Sequence, residues 1–270
     1  MPYEQVLTEE RGRVGIVTLN NPDKLNALGE PMDTEMREAI EAYNQNAEIG
    51  AIVLTGAGKG FCAGANIQGW DKGIQRAEED GDAMRIRDRR ENWVSFVQRS
   101  KPIIAAINGV SIGAGLTITL PCDFRYASER ARLSMRFVRV GVLPELASTR
   151  LLVHIVGLGQ AMELMLSGRI IDASEAGRIG LVNKVLPADD LLDSAIDTAA
   201  EIAFNPAESL ASIKRETWAN LFDTDLASIM KREVVEFNEA MQRPHFKEAV
   251  RSFIEKRQPD FHRQPQEAKR

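Results

Sequence analysis

The chain has 270 residues, 44% hydrophobic and 27% charged, which is ordinary for a soluble globular protein of one large α/β domain or two smaller ones. A net charge of −5 excludes a general electrostatic footprint for nucleic acid, so a phosphate-bearing ligand would need a local basic cluster. Cys62 and Cys122 stand alone in sequence, which excludes a disulfide framework and a zinc-ligand spacing.

The first residues, MPYEQVLTEERG, lack a basic stretch followed by an apolar core, and no apolar run reaches membrane-spanning length. No secretory signal and no membrane span are therefore expected. The terminal Glu-Ala-Lys-Arg is not a peroxisomal address, which leaves a cytoplasmic location as the default.

In chain order, Val6 to Glu10 and Val14 to Leu19 read as a hairpin about Arg11-Gly12, broken by Asn20-Asn21-Pro22-Asp23. Pro31 suits the first turn of a helix that carries Met32, Met36, Ile40 and Tyr43 on one face. Ala51 to Thr55 is an apolar strand running into Gly56 to Ile67, a Gly/Ala-rich stretch. Gln68 to Glu79 reads as a mobile polar loop, a lid over a pocket. Asp82 to Val97, with Met84, Ile86, Trp93, Phe96 and Val97, has a helical pattern.

Pro102 then forbids helix, and Ile103 to Ile107 is a buried strand. It feeds Asn108-Gly109 and Gly113-Ala114-Gly115, which open an apolar helix bearing Leu116 and Leu120. Asp123 to Ala127 is another short strand, and Leu133 to Val138 is less regular. Leu146 to Val156, Gln160 to Leu166 and Ser174 to Ile179 read as helices, and Val182 to Val185 as a last strand stopped by Pro187. Beyond it lie only helical patterns: Leu191 to Phe204, Ser209 to Trp218, Leu226 to Phe237 and Phe246 to Glu255. The order predicts an α/β core over residues 1–187 and a helical C-terminal subdomain over 188–270.

Two stretches carry the chemistry. A strand feeding a Gly-rich turn that opens a helix exposes backbone N–H groups with no internal partner, and glycine lets a ligand atom approach the main chain. Such a turn can also serve close packing alone. Two of them at strand ends, however, can place two donors on one oxygen, an oxyanion hole for acyl chemistry.

NPDKLNAL (Asn21 to Leu28), KGFCAGANI (Lys59 to Ile67), KPIIAAINGVSIGAGL and VGVLPELASTRLL resemble the enoyl-CoA hydratase/isomerase, or crotonase, family, and the likeness runs from about Val6 to Arg257. The resemblance implies a spiral of ββα units, C-terminal helices used to assemble a trimer or a dimer of trimers, and an acyl-CoA thioester as substrate. Coenzyme A enters as part of that substrate, with no covalent cofactor and no metal. The implied donors are the N–H groups of Ala65 and Ala114. Implied contacts to the coenzyme A ester are Lys24, Leu25, Ala27, Ala63, Asn66, Ile67, Gln68 and Gly113. Phe253 and Lys256 resemble a C-terminal pair that reaches the nucleotide, often from a neighbouring subunit.

The resemblance also locates a departure. Hydratases of the family carry two glutamates, and aligning on Asn108-Gly109, Cys122-Asp123 and Gly141 puts Thr117 and Phe137 there. Neither side chain offers a useful proton. One carboxylate remains, Glu145, in apolar surroundings that would raise its pKa into the working range of an acid–base group. As a lone motif it reads more readily as an acidic residue at a helix start, and the family resemblance reverses that order. Single-acid members that shift a double bond carry Glu or Asp at this place, so the expected reaction is isomerisation of a 3-enoyl to a 2-enoyl thioester, with hydration or another enolate reaction using a different acid as the runner-up.

Two readings from other classes stand beside it. Gly109-Val110-Ser111-Ile112-Gly113 matches a serine-hydrolase nucleophile elbow, but His154, His245 and His262 lie in no triad setting. A scaffold that binds coenzyme A esters without catalysis would explain the missing glutamates. Gly56-Ala57-Gly58-Lys59-Gly60 lacks the Ser/Thr of a phosphate-binding loop.

Overall fold

The computed structural model describes residues 3–81 and 91–262. Strand β1 (Val6–Arg11) pairs antiparallel with β2 (Val14–Leu19), and Gly12 turns the hairpin at φ 58°. After the Asn-Pro break comes a 3-10 turn, Pro22–Lys24, and then helix α1 (Met32–Gln45). Met32, Met36, Ala39, Ile40 and Tyr43 form the buried stripe that docks α1.

From here the chain repeats one path. Strand β3 (Ala51–Gly56) lies in a first sheet and β4 (Gly60–Cys62) in a second, followed by α2 (Ile67–Asp80) and α3 (Trp93–Arg99). Strands β5 (Ile103–Ile107) and β6 (Val110–Ile112) repeat the step and end in α4 (Ala114–Thr117). Strands β7 (Phe124–Ser128) and β8 (Arg132–Ser134) make it a third time. A 3-10 turn, Arg136–Val140, leads to α5 (Ser148–Val156), α6 (Leu158–Ser167), β9 (Ile171–Asp172) and α7 (Ala173–Arg178). Strand β10 (Lys184–Leu186) returns to the first sheet, and α8 (Leu191–Ala203), α9 (Ala207–Asn220), α10 (Leu226–Gln242) and α11 (Pro244–Ile254) follow. This is the expected spiral of ββα units.

The first sheet has the order β1-β2-β3-β5-β7-β10, parallel beyond the hairpin, and the second has the order β4-β6-β8-β9. Strands β3 and β5 are apolar and buried almost throughout because both faces of the parallel sheet are covered. One face meets α1 and α3. The other meets α8, whose Leu191, Ala195, Ile196 and Ala199 pack against Val14, Ile16, Val53 and Ile104. Helix α10 buries no residue and presents Leu226, Met230, Val234 and Phe237 outward.

Several elements differ from the sequence reading. Gln68 to Glu79 is not a loop but part of α2. Asn66 caps it by accepting from the Gly69 N–H, and Gly81 (φ 65°) closes it with bonds to Ala77 and Glu78. Good caps at both ends hold a helix that polar composition alone does not announce. The helix expected over Asp82 to Val97 begins at Trp93, where Asn92 accepts from the Ser95 N–H; Met84 and Ile86 lie outside the described residues. Leu133 belongs to β8, and Arg136 to Val140 form the 3-10 turn.

Helix α4 is a single turn. Pro121 disfavours helix just before it. The buried Arg125 guanidinium then takes up the freed carbonyls of Thr119, Leu120 and Cys122, while its Nε donates to Leu181.

Candidate active site

Two backbone segments meet at the mouth of a cavity. The first is Ala63 to Asn66, after β4. The Ala63 N–H donates to the Leu25 carbonyl, the Leu28 N–H to Gly64, and the Asn66 N–H to Leu28. Leu28 and Ala65 thus form a parallel bridge in which Gly64 and Asn66 face Leu28, so the amide of Ala65 points the other way. The second segment is Gly113 to Gly115. The Gly113 N–H donates to Ser134 (2.8 Å), and its carbonyl accepts from Leu116 and Thr117. Gly113 sits at φ 55°, ψ −122°, a conformation that needs glycine.

Parallel pairing of β4 with β6 brings these segments together. The Ala114 nitrogen lies 3.7 Å from the point that a Cβ on Gly64 would occupy. Among the described residues, neither the Ala65 nor the Ala114 N–H has an acceptor. Two free amides side by side at the cavity are what an oxyanion site requires.

The cavity, of about 580 Å³, is lined by Ala63, Gly64, Ala65, Ile67 and Trp70 on one side. Ile112, Gly113 and Ala114 lie behind, and Arg136, Phe137, Val140, Val142, Leu143, Pro144 and Glu145 complete the wall. Glu145 enters from a sharp turn. Leu146 and Ala147 both have φ 55°, so the helix expected from Leu146 starts only at Ser148. Left-handed conformation at two non-glycine residues is costly and persists where the surroundings impose it. The Glu145 carbonyl accepts from the Ser148 N–H and hydroxyl, and its carboxylate is left to the cavity. The helix-start reading of Glu145 is corrected on this point, because no side chain caps α5. Burial, and next the negative charge of Asp33 in the first turn of α1, raise the Glu145 pKa above the ordinary carboxylate value.

A profile of the enoyl-CoA hydratase/isomerase family matches residues 9–264. The chain belongs to that family. A probable enoyl-CoA hydratase of Mycobacterium tuberculosis is 36% identical over 261 residues, 97% of this chain and 99% of its own length. The mitochondrial enoyl-CoA hydratase of Pongo abelii is 34% identical over 263 residues, 96% of this chain and 88% of its own. The crystal structure of an enoyl-CoA hydratase from Polaromonas sp. JS666 superposes with a TM-score of 0.85 at 31% identity, covering 94% of this chain and 98% of that one. The chain is thus an enzyme of the enoyl-CoA hydratase/isomerase family, with the crotonase fold, and the family acts on acyl-CoA thioesters.

In this family member Ala63, Ala65, Ile67, Gly113, Ala114 and Glu145 come together around one cavity. Lys24, Leu25 and Ala27 lie on the neighbouring segment, and Lys24 is exposed. Asn66 spends its side chain on the α2 cap. Gln68 is on α2, and its side chain lies outside the described part. Phe253, 86% exposed, and Lys256, at the end of α11, are not part of the cavity wall within one chain. Phe137 forms part of the wall, whereas Thr117 is buried and donates to the Ala114 carbonyl.

Ser111 is corrected as a nucleophile. It is fully buried and its hydroxyl donates to the Gly115 carbonyl (3.0 Å), so it fastens the turn. His154 stacks edge-on against Phe222. Burial pushes the Cys62 thiol up to about 12, so it carries no thiolate chemistry at neutral pH.

Three residues escaped the sequence reading. Asn26, buried at φ 54°, donates from Nδ2 to Ala57 and Gly60 and accepts from the Asn21 N–H, tying the Lys24 segment to the loop before β4. An Asn in a turn motif is the signal that could have flagged it. Asp33 and Arg136 have no local signal, because their relation to the site exists only in three dimensions.

Proposed function

We propose that this enzyme moves the double bond of a 3-enoyl-CoA thioester to the 2-position. The observation that carries the reading is that Glu145 is the one acid among the described residues lining an apolar cavity, whose other wall presents the free amides of Ala65 and Ala114. In this reading the thioester oxygen takes hydrogen bonds from both amides. Glu145, as carboxylate, removes the proton at C2. The electron pair spreads over the dienolate, with its charge on the thioester oxygen, and Glu145 returns the same proton at C4. One C–H bond breaks and one forms, so the step is redox-neutral. Donors aimed at the developing oxyanion lower its barrier more than they tighten the ground state. A raised pKa suits a group that must both take and give the proton.

Lys24, Phe253 and Lys256 would serve the coenzyme A nucleotide in this reading, the last two from a neighbouring copy in a trimer or dimer of trimers, in the cytoplasm. The exposed apolar face of α10 supports such an association.

Hydration is the second reading, favoured by the names of the relatives, which are called hydratases. Phe137 and Thr117 at the two expected glutamate positions weigh against it. The deciding experiment incubates the enzyme with 3-enoyl- and 2-enoyl-CoA esters and follows mass and absorbance. Isomerisation conserves mass, whereas hydration adds one water. A product heavier by 18 Da from the 2-enoyl ester, with no conversion of the 3-enoyl ester, would sink the isomerase reading (about 18 Da being one water added at the alkene).

A further inference from the structure

Of the described residues that line the cavity, two carry charge: Glu145 and Arg136. Arg136 is the first residue of the 3-10 turn, between buried Met135 and buried Phe137. Its Cα lies 3.6 Å from the point that a Cβ on Gly168 would take, so the main chain is held against the link between α6 and β9. The backbone is anchored while the side chain remains exposed.

Neighbouring arginines are engaged. Arg139 donates to the Ser167 carbonyl, Arg169 pairs with Glu163 and Glu175, and Arg125 is surrounded by carbonyls. Arg136 has no hydrogen-bond or ion-pair partner among the described residues, and it does not pair with Glu145. The charge that acts on Glu145 is that of Asp33.

An unpaired guanidinium beside an otherwise apolar wall is a defined recognition element. Its planar fork matches a carboxylate, and an anion entering apolar surroundings is costly unless such a partner meets it. Glu145 adds a repulsive charge to the same cavity, so an anionic acyl group needs a cation there to enter at all. We propose that Arg136 selects acyl-CoA esters whose acyl chain ends in a second carboxylate. The assignment rests on the reading of this cavity as the acyl site. The phosphates of coenzyme A are the competing anion, but Arg136 shares its wall with Glu145, the group placed at the reacting acyl carbons.

The test measures binding rather than turnover, so it stands whichever reaction the enzyme performs. Saturated esters of equal length are titrated calorimetrically: glutaryl-CoA, which ends in a carboxylate, and pentanoyl-CoA, which ends in a methyl. The wild-type protein is expected to favour glutaryl-CoA. In Arg136→Gln the ratio of the two dissociation constants should fall by roughly 10- to 100-fold, as loss of a charge-assisted pair implies. Arg136→Lys should retain part of the ratio, since it keeps the charge without the fork. Failure of the wild type to distinguish the esters overturns the proposal. So does an equal loss on both esters in Arg136→Gln, which assigns the guanidinium to the nucleotide. Failure of the proposed isomerisation would appear separately, as absence of 3-enoyl-CoA turnover with the binding ratio intact.

Discussion

A Cβ on Gly115 would stand 2.0 Å from the carbonyl oxygen of Cys62. The main chains of the two site segments are thus in direct contact, with no room for a side chain between them. Gly109 makes a similar approach to the Lys59 carbonyl, also 2.0 Å from its notional Cβ. These backbone contacts constrain how closely the segments carrying the Ala65 and Ala114 amides approach.

Glycine substitutions separate packing from aim. Gly115→Ala should cost at least about 3 kcal/mol of stability, because backbone has to move to admit the methyl group. Gly113→Ala meets nothing within 4 Å, so it has space, but it holds a backbone conformation that alanine resists. It should fold with a loss of about 1–3 kcal/mol and a turnover reduced roughly 10- to 100-fold as the Ala114 amide re-aims. Thermal unfolding and kcat together check both; a fully active Gly113→Ala protein removes the Ala114 donor from the mechanism.

Glu145→Gln should lower turnover by about 10²-fold or more while leaving coenzyme A ester binding near normal. Its effect on stability has the opposite sign. Glu145 has a folded-state pKa above its unfolded value, so between the two the native state holds more protons and stability falls as pH rises. The glutamine variant escapes this penalty. It should match the wild type near pH 4 and exceed it modestly at neutral pH, the gap opening from about the unfolded carboxylate value of 4.3 upward. Equal pH dependence of unfolding in the two proteins would contradict the raised pKa.

Asp33 gives a second handle on the same proton. With Glu145 acting as carboxylate, kcat/KM should rise with pH through the free-enzyme pKa of Glu145 and level off above it. Asp33→Asn removes the neighbouring negative charge that helps to raise that value. The acid limb should therefore shift to lower pH while the plateau persists. A limb that stays in place in this variant means that Asp33 does not act on the proton shuttle.

Ser111→Ala discriminates the enzyme from a serine hydrolase. Removing the hydroxyl leaves the buried Gly115 carbonyl short of a donor, which should cost about 1–2 kcal/mol of stability. Turnover of enoyl-CoA esters should survive. An inactive but fully folded variant would reopen the nucleophile reading.

Much of the site was legible because its signals are local. A strand followed by a Gly-rich turn is written in consecutive residues, so the loops about Ala65 and Gly113 could be read directly, whereas the ββα spiral was expected only from the family resemblance. The Gln68 to Glu79 helix was missed because its many polar and charged residues mask a stripe of Ile67, Trp70, Ile74 and Ala77 at helical spacing, which caps at Asn66 and Gly81 bound. The turn at Leu146 and Ala147 was missed for a different reason: two non-glycine residues adopt left-handed conformations that no local preference encodes.

Residue types along the chain by themselves pointed to two strand-end turns able to expose main-chain donors, and the family resemblance added that Thr117 and Phe137 stand where hydratases carry glutamates, leaving Glu145 as the acid. Only folding decided that the two turns lie against each other through β4 and β6, that Asp33 bears on Glu145, and that Arg136 shares its cavity. Backbone conformation follows from near neighbours in sequence, whereas charges acting on one another across a cavity come from elements far apart in the chain, and their meeting depends on how the spiral closes.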